Sequence, residues 1–251
     1  MRLLIISDVH GNLEALEAVL AAAPDCDGVA NLGDNVGYGA CPNEVVERVR
    51  TLGDIFVRGN HDRACSGLSN LSDFNPTAAL AARWTQLALT DENRRWVAEL
   101  PRGPVTDATW TGIQFVHGSP FDEDEYLLSE PIVERLLETS PVPVTFFGHT
   151  HVQIGWELRH GEISDFRLDR GHRDEPQQMK VTLDPEARYF INPGSVGQPR
   201  DGDPRAGFAT YDSAERSMTL YRVPYQLEQA QQRIIHAGLP VRLASRLAEG
   251  R

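Results

Sequence analysis

Leu3-Leu4-Ile5-Ile6-Ser7-Asp8-Val9-His10-Gly11-Asn12 sets a short apolar run directly against a string of polar residues. A run of this length, stopped at once by Asp and Gly, reads as a buried strand that carries its chemistry at the C-terminal end. The arrangement recurs along the chain. Val29 to Leu32 leads into Gly33-Asp34, and Ile55 to Val57 into Gly59-Asn60-His61-Asp62. Ile113 to Val116 leads into His117-Gly118, and Val144 to Phe147 into Gly148-His149-Thr150-His151. In open α/β sheets sites are built at the C-terminal edge of the strands, so these runs predict an α/β fold whose strand ends share one site.

Helical patterns fill the intervals. Leu13 to Ala22 has an apolar face behind Asn12 at an N-cap position, and Asn43 to Leu52 follows Pro42, a helix-start signal. Asn75 to Leu89 and Ile132 to Leu137 read as two more helices. Farther on, Ile154 to Phe166, Val181 to Leu183, Tyr189 to Asn192, Gly207 to Tyr211 and Ser217 to Val223 read as strands separated by turns. A polar helical stretch, Gln226 to His236, and a tail follow Pro224. The order is therefore βαβα first, mostly antiparallel β later, and helix at the end. The expected division is a main domain over residues 1–224 and a helical tail over 225–251.

The composition narrows the function classes. The 251 residues carry a formal net charge of -12, with Lys180 the only lysine among 24 basic residues. Such a surface repels polyanions at long range, which argues against long nucleic acid as a partner. Cys26, Cys41 and Cys65 form no C-x-x-C and cannot all pair, so a reducing compartment fits, and no run approaches the length of a membrane span. The apolar run at Leu3 is too short for a signal peptide. The expectation is a cytoplasmic protein without membrane partners; nothing in the sequence sets its oligomeric state.

Of eight histidines, five lie in the strand-end motifs: His10, His61, His117, His149 and His151. Imidazole and carboxylate donors together suit borderline divalent metals. On an extended segment alternate residues share a side, so Asp8 and His10 are expected to reach one ion. His149 and His151 can do the same or straddle two ions. Asp34 has two oxygens with which to bridge metals, and Asn60 offers a neutral oxygen.

Taken in order, D-x-H, G-D, G-N-H-D, H-G and G-H-T-H resemble the motif set of the calcineurin-like metallophosphoesterase superfamily, in its bacterial diadenosine-tetraphosphatase-like or serine/threonine-phosphatase-like branch. The resemblance spans Met1 to about Tyr221. It implies a four-layer α-β-β-α sandwich with two central mixed sheets. It also implies two divalent ions, manganese first, with iron, zinc, nickel or cobalt as alternatives. Carried over motif by motif, one metal takes Asp8, His10, Asp34 and His151, and the other takes Asp34, Asn60, His117 and His149. His61 is implied to be catalytic rather than a ligand, with Asp62 orienting it. The activity implied is hydrolysis of a phosphate ester or phosphoanhydride by a metal-bridging hydroxide. The substrate would be a small phosphorylated molecule, a nucleotide or a phosphoprotein. A phosphodiesterase acting on cyclic or dinucleotide diesters is the alternative. A non-catalytic metal-binding scaffold of this fold is expected to lack the His that follows Asn60, which this chain keeps.

Three further stretches bear on substrate. Asn192 to Arg200 is a Gly/Pro-rich loop in which Arg200 is a candidate for pairing with a substrate phosphate. Gly37-Tyr38-Gly39 is a candidate pocket wall. Asp122 to Glu125 reads as a solvated acidic loop.

Overall fold

A computed structural model describes residues 1–53, 55–169 and 171–251. Among the described residues, two sheets form the centre. The first has strand order β3-β2-β1-β10-β11-β8, and the second β4-β5-β9-β6-β7. The strands run β1 Arg2–Ile6, β2 Gly28–Asn31, β3 Ile55–Phe56, β4 Ile113–Phe115, β5 Val144–Phe146, β6 Ile154–Arg159, β7 Glu162–Phe166, β8 Gln177–Thr182, β9 Arg188–Asn192, β10 Ala206–Asp212 and β11 Ser217–Val223. The helices are α1 Leu13–Ala22, α2 Pro42–Val49, α3 Asn60–Cys65, α4 Pro76–Ala88, α5 Asp91–Ala98, α6 Glu130–Thr139, α7 Leu227–His236 and α8 Val241–Glu249.

The layers follow from period-two burial in β1. Leu3 and Ile5 enter the core between the sheets, with Phe115, Phe146, Ile191 and Leu220. Leu4 and Ile6 face the other way and pack with Leu16, Val19, Val45 and Val49 of α1 and α2. A strand apolar on both faces is thus sandwiched, as a continuous hydrophobic run requires. On the far side Phe147, Phe190 and Trp156 pack with Val133, Leu136 and Leu137 of α6. The result is the expected α-β-β-α order.

The mixed character has a positional logic. β1, β2 and β3 are parallel, as are β4, β5 and β9. β10, β11 and β8 extend the first sheet antiparallel, and β6 and β7 extend the second. The parallel strands therefore occupy one side of each sheet, and their C-terminal ends deliver the polar motifs.

Some elements differ from the sequence reading. Ile154 to Phe166 is a hairpin rather than one strand. Arg159 pairs with Glu162, and His160 and Gly161 turn with φ of 52° and 81°, the double positive φ of a tight two-residue hairpin. Two helices, α3 and α5, lie outside the helical stretches read from the sequence, and the expected helical tail divides into α7 and α8. α3 is built of Asn60, His61 and Asp62, residue types that favour loops unless capping or packing intervenes. α5 begins at Thr90, whose side chain accepts from the Asn93 amide; the Thr90-Asp91-Glu92 start was a readable signal. α8 buries Leu243, Ala244 and Leu247, a spacing that also marks a helix face. α7 and α8 pack with Tyr38 and with Ala78 and Ala81 of α4.

Candidate metal centre

Asp8 and His10 sit just past β1, but not on extended backbone. Their φ angles are 54° and 49°, and Asp34, His149 and His151 are likewise left-handed at 54°, 64° and 60°. β1 stops at Ile6, so left-handed backbone at Asp8 and His10, not the alternation of a pleat, brings their side chains together. Each such non-glycine residue costs on the order of 1 kcal/mol and persists only where its surroundings enforce it. Here they do. Asp8 and His10 donate their amides to the Gly33 and Asp34 carbonyls at 2.9 Å each. The Gly197 amide and the Ser195 hydroxyl donate to the Asp8 carbonyl at 2.9 and 2.8 Å. The Arg200 amide donates to the His151 carbonyl at 3.1 Å. The Asn192–Arg200 loop thus clamps the strand-end motifs of both sheets, a role its glycines and prolines did not reveal.

Two groups of donor atoms result. Asp8, His10, Asp34 and His151 have ligand atoms within 4.8 Å of one another, and so do Asp34, His117 and His149. Asp34 belongs to both. Asn60 Oδ1 joins the second group, 3.3 Å from His117 Nε2. All seven side chains were expected to converge, and the fold brings them to one place.

The donor set fits cations on its internal chemistry. Asp8 Oδ2 accepts from Ser7 Oγ at 2.7 Å and from the His149 amide at 3.2 Å. Asp34 Oδ1 accepts from the His61 amide at 2.8 Å. The other oxygens, Asp8 Oδ1 and Asp34 Oδ2, are buried with no hydrogen-bond partner. Asp8 Oδ1 lies 3.4 Å from His151 Nε2, and Asp34 Oδ2 lies 3.6 and 3.4 Å from Nε2 of His10 and His117. The imidazole tautomers are set from behind. Nδ1 of His10, His117 and His151 bonds the carbonyls of Val36, Leu32 and Gln198 at 3.1, 2.8 and 2.6 Å. A carbonyl only accepts, so each Nδ1 carries a proton, and the Nε2 lone pairs of the neutral His10 and His151 face inward. His10 and His151 Nε2 then stand 3.1 Å apart, lone pair to lone pair, an arrangement that a shared cation resolves. His149 is reversed: Nε2 donates to the Asp124 carbonyl at 3.2 Å, leaving Nδ1 as the donor atom.

Protonation follows the same pattern. Burial holds His10 and His151 well below the usual imidazole value and His149 at about 3, so all three are neutral, the ligand form. Burial, reinforced by Asp34, pushes Asp8 up to about 7. His117 is the exception. Burial pulls it down, but the Asp34 carboxylate beside it and Asp8 outweigh that and carry it to about 10. The proton held between His117 and Asp34 marks where positive charge is favoured.

Other expectations are revised. Asp62 does not orient His61. Its carboxylate accepts from the Asn35, Val36 and Gly59 amides at 2.9, 3.3 and 3.1 Å and from the Asn35 side chain at 3.2 Å, whereas His61 Nδ1 is buried without a partner. Asp62 instead fixes the backbone around Asp34, because its place in the first turn of α3 aims it at amides rather than at its neighbour's ring. Asp122 to Glu125 is a solvated acidic loop only in part, with Asp122 and Asp124 exposed. Glu123 is buried and paired with Arg58 and Arg63, Asp124 pairs with Arg63, and Glu125 pairs with Arg135. Tyr38 does form a wall: it lines a cleft of about 300 Å³ with Asn60, His61, Arg63, Phe74, Tyr126 and His149. Arg200 is half-buried beside that wall, its Cζ 5.7 Å from the Tyr38 ring centre.

Close approach makes one glycine indispensable. A Cβ on Gly59 would stand 2.0 Å from Asp34 Oδ1 and 2.4 Å from the Asp34 amide nitrogen. Gly59→Ala is expected to cost roughly 1–3 kcal/mol by overpacking and to lower metal content by moving Asp34. Urea unfolding and elemental analysis measure the two effects; an unchanged midpoint and metal content would show that the loop absorbs the methyl group.

Among the described residues no helix is long and apolar enough to cross a membrane. The model of the calcineurin-like phosphoesterase superfamily domain matches residues 1–216. An uncharacterized protein of Methanocaldococcus jannaschii is 35% identical over 251 residues, covering 98% of this chain and 97% of that protein. The crystal structure of a metallophosphoesterase from Sphaerobacter thermophilus shares 40% identity and superposes with a TM-score of 0.85, covering 100% of this chain and 99% of that one. A hypothetical protein of Pyrococcus horikoshii has the same fold, with a TM-score of 0.78 at 18% identity and coverage of 100% and 98%. Fold, convergent ligand groups and sequence agree, and the chain belongs to the calcineurin-like phosphoesterase superfamily as a metal-dependent phosphoesterase.

Proposed function

We propose that the protein hydrolyses a phosphate ester or phosphoanhydride on a small or exposed substrate, using two divalent cations. Asp8, His10, Asp34 and His151 hold one, and Asp34, Asn60, His117 and His149 the other. The observation that carries this reading is the sharing of Asp34 between two buried donor groups whose atoms each lie within 4.8 Å. When bound, such a pair supplies Lewis-acid polarisation of the phosphoryl group and activation of water at neutral pH. The protein's own contribution is charge and position. Asp8 and Asp34 offset only half the charge of two divalent ions, and the remaining donors would be neutral once His117 gives up its proton on ligation, so the centre would stay attractive to a phosphate. His61 lines the cleft beside Asn60 and is placed to stabilise charge on the phosphoryl or leaving oxygen. The donor set is nitrogen and oxygen with no thiolate, which suits manganese, with iron, zinc, nickel and cobalt as competitors. Cys26, Cys41 and Cys65 are free thiols, which supports a cytoplasmic setting.

The test is a panel run with manganese-loaded protein: p-nitrophenyl phosphate, bis-p-nitrophenyl phosphate, nucleotides, a phosphopeptide, and single- and double-stranded DNA. Turnover of small phosphate compounds is expected, with feeble action on long DNA. The reason is the net charge of -12, which repels a long polyanion everywhere except at the metals. Bis ester hydrolysed faster than the monoester would establish the diesterase alternative, and no turnover of any compound would leave a metal-binding scaffold.

A further inference from the structure

Two guanidiniums approach the ring of Tyr38. Its ring centre lies 4.8 Å from that of His10 and 4.4 Å from that of His61, so it borders the metal cluster directly. Arg200 Cζ lies 5.7 Å from the Tyr38 ring centre and Arg246 Cζ 5.8 Å. Arg200 comes from the loop after β9, whereas Arg246 comes from the last turn of α8. Among the described residues neither forms an ion pair with an Asp or Glu side chain, although most arginines here do not lack one. Arg200 Nη2 donates to Gln198 Oε1 at 3.0 Å, and its Nε is buried with no partner. Arg246 Nε donates to the Arg251 main-chain oxygen. Two half-buried like charges repel, and burial followed by the Arg200 charge lowers the proton affinity of Arg246. An arrangement of this kind is stabilised by an anion between or beside the pair.

The placement is built in. The Gly202 amide donates to the Gly250 carbonyl at 2.9 Å, tying the end of α8 to the loop that follows Arg200. Gly250 has φ 64°, and a Cβ there would come within 2.6 Å of the Asp203 amide nitrogen, so only glycine lets the helix end dock this closely. Leu243, Ala244 and Leu247 meanwhile seat α8 in the cluster that contains Tyr38. Helix and loop are held to the same wall by independent contacts.

We propose that Arg200 and Arg246 form a second anion subsite beside the metal cluster, which binds the phosphate adjoining the one being hydrolysed. The protein then prefers compounds with linked phosphates to simple monoesters, and the C-terminal helix α8 is part of substrate recognition. The proposal rests on the reading that the metal cluster takes the reacting phosphate. The probes are adenosine 5′-(α,β-methylene)diphosphate, whose bridge resists hydrolysis, and adenosine 5′-monophosphate. They are titrated calorimetrically into the manganese-loaded protein.

Arg246→Met keeps an aliphatic stem over Tyr38 and removes the charge. It is expected to weaken the diphosphate analogue roughly tenfold, the scale of one charge-assisted hydrogen bond, and to leave the monophosphate within about twofold. Arg246→Lys should recover part of the loss, and Arg200→Ala should behave as Arg246→Met does. Arg242→Ala, an exposed arginine on the same helix, should change neither affinity. Melting temperatures confirm that each variant is folded; should Arg246→Met melt early, the comparison of wild type with Arg246→Lys still reads the guanidinium. Equal losses for both ligands, or no loss for either, overturn the subsite. Turnover of p-nitrophenyl phosphate by the same preparation is read separately. Turnover together with Arg246-independent binding defeats the subsite and spares the phosphoesterase reading. Arg246-dependent diphosphate binding without turnover does the reverse.

Discussion

Asp34→Asn is expected to lose both metal and activity while remaining folded. Asp34 is the residue common to both donor groups, and its Oδ2 is buried without a hydrogen-bond partner. An amide keeps the shape and can still accept from the His61 amide, as Oδ1 does at 2.8 Å. It removes the negative charge on which both cations depend. Replacing mere neighbours of metal ligands costs about 10- to 100-fold in affinity or activity, so a ligand shared by two ions should cost more than roughly 100-fold. The metal-free protein should also be less stable at neutral pH, because, against the effect of burial, His117 and its neighbours hold the Asp34 carboxyl well below the usual carboxylate range, and the amide leaves the His117 proton without its partner. Elemental analysis, turnover and melting of metal-free protein together separate loss of metal from loss of fold. A variant retaining two metals and near-normal turnover would remove Asp34 from the centre.

His61→Ala is expected to keep both metals and to lower kcat by roughly 10²–10⁴, the range for a positioned acid or charge-stabilising donor. His61 lies in neither donor group, yet it lines the cleft beside Asn60, with its ring centre 4.9 Å from that of His10. Its surroundings are aromatic: Tyr38 at 4.4 Å and Phe74 at 4.8 Å between ring centres. Burial in this setting pulls the imidazole down to about 4. Comparing p-nitrophenol with alkyl leaving groups resolves the role. A loss that shrinks for p-nitrophenol, which needs no proton, identifies proton donation; an equal loss identifies stabilisation of phosphoryl charge. Loss of a metal ion in this variant would instead make His61 a ligand.

The five motif-bearing runs were legible because each is local: an apolar stretch and the polar residues immediately after it. Their convergence was legible too, since parallel strands align their C-terminal ends. Asp62 was misread because a carboxylate beside His61 in sequence was taken to be beside its ring in space. In α3 it turns instead to the amides of Asn35, Val36 and Gly59. Within the acidic run only the burial of Glu123 was not legible, because Arg58 and Arg63, which pair with it, lie some sixty residues away.

By itself the sequence determined the residue types at the strand ends, the burial of the Leu3 to Ile6 run, and the family signature spread over the motifs. Tertiary structure alone decided which nitrogen of each histidine faces inward, because that depends on the carbonyls of Val36, Leu32 and Gln198. It alone decided the left-handed backbone at Asp8, His10 and Asp34, which bonds across β1 and β2 enforce. It alone brought Arg246 of α8 to Arg200. Local patterns record what a segment can bury and how it can turn. Hydrogen-bond direction and charge proximity between distant segments are set only when packing brings those segments together, so they leave no period or spacing in the chain to be read.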